Sequence, residues 1–360
     1  MTAWGTGICP GKNGRPATPK TSLEDIPSHG MKRMSTVVLM RFSVLDRAAG
    51  TSHETPEETL RGVATHAQHV EQLGFSRFLV AEHHGVPGIP GSQPAQLATY
   101  VAAHTSTIRV GTGGIMVPNH PPYLIAEQIG LLQSLFPGRI DIGLGSSVGF
   151  TKPVRQALRQ GDPHELKARL EEDVEELMDY LSGSGAVSSY PADNARTPIY
   201  MLAGYRSALT AAKLGIGVIT GGPLSTQADA IKAYRENFQP SEGLNSPRVI
   251  ASLNIAAADT TEAARNLLLP EAYSQVLSRS TGAFESLKIA DELDIDKLTA
   301  QQTKRIEESL ANTIYGTAGE VHAQLVDATT TLQVDEFLIT GDIPDRAGRS
   351  RSEEILAGLM

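Results

Sequence analysis

A carboxylate and two imidazoles end an apolar run near residue 82, and these side chains are suited to acid–base or metal chemistry. The run F-L-V-A-E-H-H-G (78–85) passes directly from apolar residues into Glu82, His83 and His84. An imidazole exchanges a proton near neutral pH, and a neighbouring carboxylate can orient it. Consecutive strand residues point to opposite faces, so the three groups cannot share a metal without a bulge. The pattern favours proton transfer over metal binding, with strand capping as the open alternative.

Two further apolar runs end in small residues. The segment R-V-G-T-G-G-I-M contains Gly113 and Gly114, and D-I-G-L-G-S-S contains Gly145 and Ser146. Glycine at a strand end lets a large planar ligand approach the backbone, although a β-bulge explains a diglycine equally well. The glycines around 145 do not follow the G-x-G-x-x-G spacing of dinucleotide sites.

The segment M-L-A-G-Y-R-S (201–207) reads as a strand, a glycine turn and the start of a helix. Free N–H groups at a helix start bind phosphate, and Arg206 and Ser207 next to Gly204 would add a charge and a hydroxyl. A simple serine cap beside a solvated arginine is the alternative.

Short apolar strands alternate with helices along the chain, which indicates a parallel sheet that is buried on both faces. We predict strands at 35–46, 76–82, 107–115, 139–144, 198–202, 216–220, 248–257 and 334–340. The predicted helices are 55–74, 93–105, 122–136, 163–183, 205–214, 226–238, 260–278, 318–329 and 350–358. Eight strands in this order favour a single (β/α)8 TIM barrel, whose strand ends meet at one mouth.

The predicted barrel domain spans residues 35–360, with a polar insertion (280–316) before the last strand. Residues 1–34 show no periodicity and are predicted to form a flexible extension. In a barrel, Asp46 at the end of the first strand would join the other strand-end residues at the mouth.

The composition excludes several classes of protein. The 360 residues carry a net charge of −9, which argues against a nucleic-acid partner. The single cysteine, Cys9, excludes a disulfide framework and fits a reducing cytoplasm. No apolar run approaches the length of a membrane span, and the first residues lack a secretory signal. We therefore expect a cytoplasmic protein without a membrane partner.

Four blocks of the chain, taken together, resemble the bacterial luciferase-like flavin monooxygenases. The blocks are V-A-E-H-H-G, V-G-T-G-G-I-M-V-P-N-H-P-P, A-E-Q-I-G-L-L-Q-S-L-F-P-G-R-I-D-I-G-L-G and L-N-I-A-A-A-D-T. The resemblance implies a barrel that binds reduced flavin mononucleotide (FMN), supplied by a separate flavin reductase. It also implies dioxygen as co-substrate, transfer of one oxygen atom to a small organic substrate, and a homodimer.

Carried over by position, His83 matches the family's catalytic histidine, which supports the reactive flavin intermediate and proton transfer. Glu82 and His84 are then its structural support. Gly113 and Gly114 match a non-proline cis peptide that lies against the flavin ring.

The phosphate contacts are carried over less completely. Ser207 matches a phosphate-binding hydroxyl, and Arg169 matches a phosphate-binding arginine. Gly145 takes the place of luciferase's reactive cysteine, so thiol chemistry is absent there. Many relatives have an arginine where this chain has Ser146 and Ser147, so that phosphate contact is either lost or replaced by Arg155 or Arg206.

The segment S-S-V-G-F-T-K-P-V-R-Q-A-L (146–158) is similar to a subgroup of mensacarcin-type oxygenases that modify polyketide antibiotics. This similarity implies epoxidation or hydroxylation of an aromatic polyketide. A deazaflavin-dependent hydride-transfer oxidoreductase and a non-catalytic flavin-binding protein are the alternatives, because both use the same barrel.

Overall fold

Eight parallel strands close into a barrel in the computed structural model, which describes residues 40–149, 151–192 and 196–360. The barrel strands are β1 (Phe42–Asp46), β2 (Arg77–Val80), β3 (Arg109–Met116), β4 (Ile140–Gly145), β5 (Ile199–Ala203), β6 (Gly217–Thr220), β7 (Val249–Ala257) and β9 (Glu336–Thr340). Strands β6 and β7 pair, and β9 lies between β7 and β1, which closes the ring. The predicted (β/α)8 barrel is confirmed. The predicted extension, 1–34, lies outside the described residues.

Helices surround the barrel in the predicted alternation. They are α1 (Pro56–Gln72), α2 (Pro94–His104), α3 (Pro122–Leu135), α4 (Lys152–Ala157), α5 (Pro163–Ala168), α6 (Leu170–Ser182), α7 (Tyr205–Leu214), α8 (Leu224–Asn237), α9 (Thr261–Thr281), α10 (Ala300–Leu310), α11 (Ala318–Leu332) and α12 (Arg346–Ala357). Helix α1 begins as the sequence predicts, because Thr55 and Glu58 form a capping box before Pro56. No helix of the described segments is long and apolar enough to span a bilayer.

The predicted single helix 163–183 is wrong, because α5 ends at Ala168 and α6 begins at Leu170. Arg169 at the break is the C-cap of α5 and the N-cap of α6. No glycine or proline lies between Ala168 and Leu170, so the sequence pattern alone joins the two helices.

The insertion before the last strand is more ordered than its polar sequence indicates. Helix α10 lies within it, and a ninth strand, β8 (Ile314–Gly316), pairs with the end of β7 outside the barrel ring. A three-residue strand has too little periodicity to be predicted from sequence.

One side chain from most barrel strands fills the middle of the barrel. This apolar layer consists of Leu45, Leu79, Tyr200, Leu202, Ile219, Ile250 and Leu338. Arg47 follows β1 and His83 follows β2 at the same end of the barrel, beyond the layer that contains Leu45 and Leu79. The outward side chains pack against the helices and form the main hydrophobic core.

Candidate active site

Of the three polar side chains that follow β2, Glu82 and His84 contact each other, and His83 lies beside Arg47. Glu82 is buried and accepts hydrogen bonds from the Met116 backbone N–H (2.9 Å) and His84 Nε2 (2.8 Å). Asn119 Nδ2 and His120 Nε2 also donate to this carboxylate. These bonds lower the pKa of Glu82 although burial acts to raise it. Glu82 therefore joins the end of β2 to the loop after β3, and His84 contacts the same carboxylate.

His83 lies three residues after the end of β2 and is held by its backbone N–H, which donates to Gly91 O at 3.1 Å. Burial, followed by the positive charge of Arg47, lowers the pKa of His83 to about 4. The imidazole is therefore neutral at physiological pH, and it can accept a proton through one nitrogen and donate one through the other.

Two carboxylates hold Arg47 in place beside His83. Its Nη2 contacts Glu271, and Asp342 Oδ2 at 2.7 Å. Glu271 is buried in α9 and also accepts from Gln275 Nε2 (2.7 Å) and Asn254 Nδ2 (3.2 Å). The motifs around residue 82 did not indicate this cluster, because Glu271 lies 224 positions from Arg47. A charged residue directly after Pro270 inside a helix was the only local signal.

Asp46, predicted at the mouth, points outward instead. It accepts from His66 Nδ1 of α1 at 2.6 Å, while His66 Nε2 contacts Glu353 Oε1 of α12 at 2.6 Å. Leu45 occupies the inner side of β1, and the next residue must face the helices. The structure thus places the Asp46 carboxylate in an ion cluster between the barrel and the helix layer, away from the other predicted cofactor residues.

Gly113 and Gly114 are joined by a cis peptide, as the resemblance implies, and the register of β3 against β4 shifts at this point. A Cβ at Gly113 would lie 2.7 Å from Leu45 Cδ1, and a Cβ at Gly114 would lie 2.6 Å from Gly143 O. The register shift agrees with the β-bulge interpretation of this diglycine. The barrel's own atoms already require both glycines, whatever binds above them.

Gly145 ends β4 next to Met116, whose sulfur would lie 2.5 Å from an added Cβ. Ser146 follows and is partly buried. These residues extend the glycine-lined part of the mouth from β3 to β4.

The start of α7 is uncapped among the described residues. Gly204 is the N-cap and offers no side chain, so the N–H groups of the first turn have no helical or side-chain acceptor. An added Cβ at Gly204 would meet nothing within 4 Å, so the space above the turn is open. Arg206 is exposed and Ser207 is partly buried in this first turn.

Arg169 lies at the start of α6, which packs beside α7 through a contact of Glu171 with Lys213. Its guanidinium is 59% exposed and contacts Asp173 Oδ1 at 3.2 Å and Glu172 Oε2 at 3.6 Å. Glu172 and Asp173 partly neutralise the charge of Arg169, so this residue contributes less to an anion site than the first turn of α7 does.

Comparisons with known proteins show which family the chain resembles. The sequence profile of a family described as "Luciferase-like monooxygenase" matches residues 40–335. The chain is 36% identical to the uncharacterized protein YvbT of Bacillus subtilis (strain 168), over 88% of this chain and 95% of the other. It is 30% identical to a luciferase-like monooxygenase of Escherichia coli (strain K12), with coverage of 87% and 95%. An N-acetyl-S-alkylcysteine monooxygenase of Bacillus subtilis (strain 168) is 29% identical, with coverage of 89% and 98%.

Solved structures show the same barrel. Apo-MsnO8 superposes with a TM-score of 0.81 at 29% identity, covering 89% of this chain and 98% of that one. The oxygenating constituent of 3,6-diketocamphane monooxygenase from Pseudomonas putida, in complex with FMN, has a TM-score of 0.65 at 13% identity, with coverage of 89% and 97%. An F420-dependent secondary alcohol dehydrogenase has a TM-score of 0.65 at 15% identity, with coverage of 90% and 100%. The last two likenesses show the fold alone.

Proposed function

Because the chain belongs to the luciferase-like monooxygenase family, we propose that it uses reduced FMN and dioxygen to insert one oxygen atom into a small organic substrate. The observation that carries this proposal is the neutral His83 imidazole, which follows β2 and lies beside Arg47. The resemblance assigned the family's catalytic role to this residue.

The residues at the mouth fit a flavin mononucleotide. Gly113, Gly114 and Gly145 lie at the ends of β3 and β4, where the proposal places the planar ring system against the backbone. The uncapped first turn of α7, with Arg206 and Ser207, provides N–H groups, a positive charge and a hydroxyl for a phosphate. When bound, the flavin would supply the chemistry with dioxygen.

The protein's own contribution is proton control and orientation. His83 can hold a hydrogen bond at a reacting oxygen, or pass a proton to it, without carrying a charge. Arg47 places a fixed positive charge nearby, which stabilises negative charge that develops at the mouth. Glu271 and Asp342 fix the Arg47 guanidinium, so this charge does not have to reorganise.

We propose an aromatic polyketide as the substrate and epoxidation or hydroxylation as the outcome. The similarity of segment 146–158 to the mensacarcin-type oxygenases supports this choice, together with the likeness to apo-MsnO8. The 29% identical relative named as an N-acetyl-S-alkylcysteine monooxygenase makes S-alkylcysteines the first competing substrates to test. We also propose that a separate reductase supplies the reduced flavin, as the family resemblance implies. We further propose a cytoplasmic location, which the single cysteine supports.

The experiment that tests this proposal incubates the purified chain with FMN, NADH, a flavin reductase and labelled dioxygen. Mass spectrometry of products from aromatic polyketides and S-alkylcysteines should show one labelled oxygen atom. Without the reductase, NADH should not be consumed. A deazaflavin-dependent hydride-transfer enzyme would instead oxidise its substrate without oxygen consumption, and a storage protein would show no turnover.

A His83→Asn variant separates catalysis from flavin binding. We expect turnover to fall by about 100-fold or more, because a positioned acid–base group contributes at least that factor. The dissociation constant for FMN, measured by fluorescence quenching, should change little. His164→Asn, at an exposed position of α5, is the matched control and should retain full turnover. Full turnover in His83→Asn would remove His83 from the mechanism.

A further inference from the structure

A cavity opens at the end of the barrel that lies opposite to His83. It has a volume of about 340 Å³ and lies where β5 and β6 begin, between the end of α6 and the loop 241–248. Four or five strand residues at about 3.3 Å each separate it from the mouth, a distance of about 15 Å. The cavity is thus distinct from the proposed flavin site, and its volume is in the range of small-molecule pockets.

Most of the cavity wall is apolar. The side chains of Met178 and Leu181 from α6, Ile199 from β5, and Leu244 from the loop line it. The Tyr200 ring forms part of the floor, and its hydroxyl accepts from Arg77 Nη1 at 3.0 Å inside the barrel. Such a wall favours a ligand with an apolar body.

A buried ion network below this floor carries more positive than negative groups. Arg77 Nε contacts Glu336 Oε1 at 2.7 Å, and Arg109 Nε contacts Asp141 Oδ2 at 2.7 Å. The two pairs are joined by Arg77 Nη1 and Asp141 Oδ2 at 3.2 Å.

Arg248 is the third guanidinium of this network and also lines the cavity. Its Nη2 reaches Glu336 Oε2 at 3.3 Å, while 28% of its side chain remains exposed. Three guanidinium groups therefore share two carboxylates within the described residues. A negative group placed against Arg248 would balance the remaining charge.

The other charged side chains of the lining compensate each other. At the rim, Arg196 and Glu242 neutralise each other at 3.2 Å, and both side chains are 85% exposed. Among the described residues that line the cavity, Arg248 is thus the charged group without a full counter-charge.

We propose that this cavity binds a small apolar molecule with one carboxylate. The carboxylate lies against Arg248, and the apolar body lies between α6 and β5. This site is independent of the proposed oxygenation at the mouth.

Calorimetric titration of the full chain with matched acids and alcohols tests the proposal. The probes are hexanoate against hexanol, benzoate against benzyl alcohol, and acetate. We expect each six-carbon or aromatic acid to bind about tenfold or more tightly than its alcohol, because a charged hydrogen bond is lost in the alcohol. Acetate should bind about tenfold or more weakly than hexanoate, because it lacks the apolar body.

Two variants with unlike effects keep the result interpretable. Arg248→Gln should make acid and alcohol bind equally, and Leu244→Trp, whose ring occupies part of the cavity, should weaken binding of both. Arg305→Gln, at an exposed position of α10, is the charge-matched control and should leave the affinities for acid and alcohol unchanged. No binding to the wild type, equal affinity for acid and alcohol, acetate as tight as hexanoate, or an unaltered preference in Arg248→Gln would each overturn the proposal. None of these results depends on turnover.

Discussion

At the scale of single residues, the protonation state of His83 decides what the mouth can do. A charged imidazole beside the Arg47 guanidinium would place two positive groups together in a partly buried site, which is unfavourable. Burial and Arg47 both lower the pKa of His83, and the value of about 4 leaves the ring neutral. The histidine can therefore exchange protons with a reacting group while Arg47 keeps the positive charge.

We predict that Arg47→Gln raises the pKa of His83 from about 4 towards the ordinary value of about 6.5, because the nearby charge is removed while burial remains. Imidazole nitrogen shifts in NMR titrations of the flavin-free protein measure this change directly. In the variant, His83 becomes protonated at a higher pH, so any activity that needs the neutral ring declines at a higher pH as the solution is acidified. Arg41→Gln, at an exposed position before β1, should leave the pKa unchanged. An unchanged pKa in Arg47→Gln would show that burial alone is responsible.

At the scale of secondary structure, α7 begins without an N-cap side chain, which lowers the stability of the helix but leaves its first turn open. A serine, threonine or aspartate N-cap would occupy its free N–H groups and stabilise the helix. Gly204 leaves them available, and the adjacent space is open. This arrangement is what a phosphate site at a helix start requires.

Substituting Gly204 by Asp and by Asn tests that interpretation. Both side chains cap the turn, so both variants should melt slightly higher than the wild type by calorimetry. Only the aspartate adds a negative charge, and we expect Gly204→Asp to weaken FMN binding about tenfold more than Gly204→Asn does. Equal affinities in the two variants, measured by fluorescence quenching, would place the phosphate elsewhere.

The local elements were the predictable part of this structure. Apolar runs and capping residues define eight strands and most helices, because each signal lies within about 15 neighbouring residues. Strand β8 was missed, since its pairing with β7 depends on contacts with a distant segment. Asp46 was predicted at the mouth but points outward. Strand alternation assigns its direction only when an inner neighbour such as Leu45 is known.

The site was predictable only where its residues are close in sequence. The family resemblance led to His83, with Glu82 and His84 as its support, from one short block. Arg47 and Glu271 meet only after the barrel closes, because 224 positions separate them. Their charges determine the His83 environment, yet no short motif contains both.

At the scale of the whole molecule, the two ends of the barrel carry different chemical groups. The mouth carries glycines, a neutral imidazole and an uncapped helix, while the opposite end carries a buried ion network under an apolar cavity. The outer surface adds a third feature, because α3 exposes Leu124, Leu131 and Leu135 by 46%, 54% and 54%. Their spacing of seven and four residues places them on one helix face.

The family resemblance implies a homodimer, and we propose that this face of α3 joins the two copies. Light scattering after size exclusion should give the mass of two chains for the wild type. The double variant Leu131→Asp and Leu135→Asp should weaken the dimer by at least about 30-fold, because charged groups would be buried in an apolar contact. Ile295→Asp changes a similarly exposed apolar residue, 42% accessible, outside α3 and should not alter the mass. A monomeric wild type, or equal dissociation by Ile295→Asp, would exclude α3 as the specific interface.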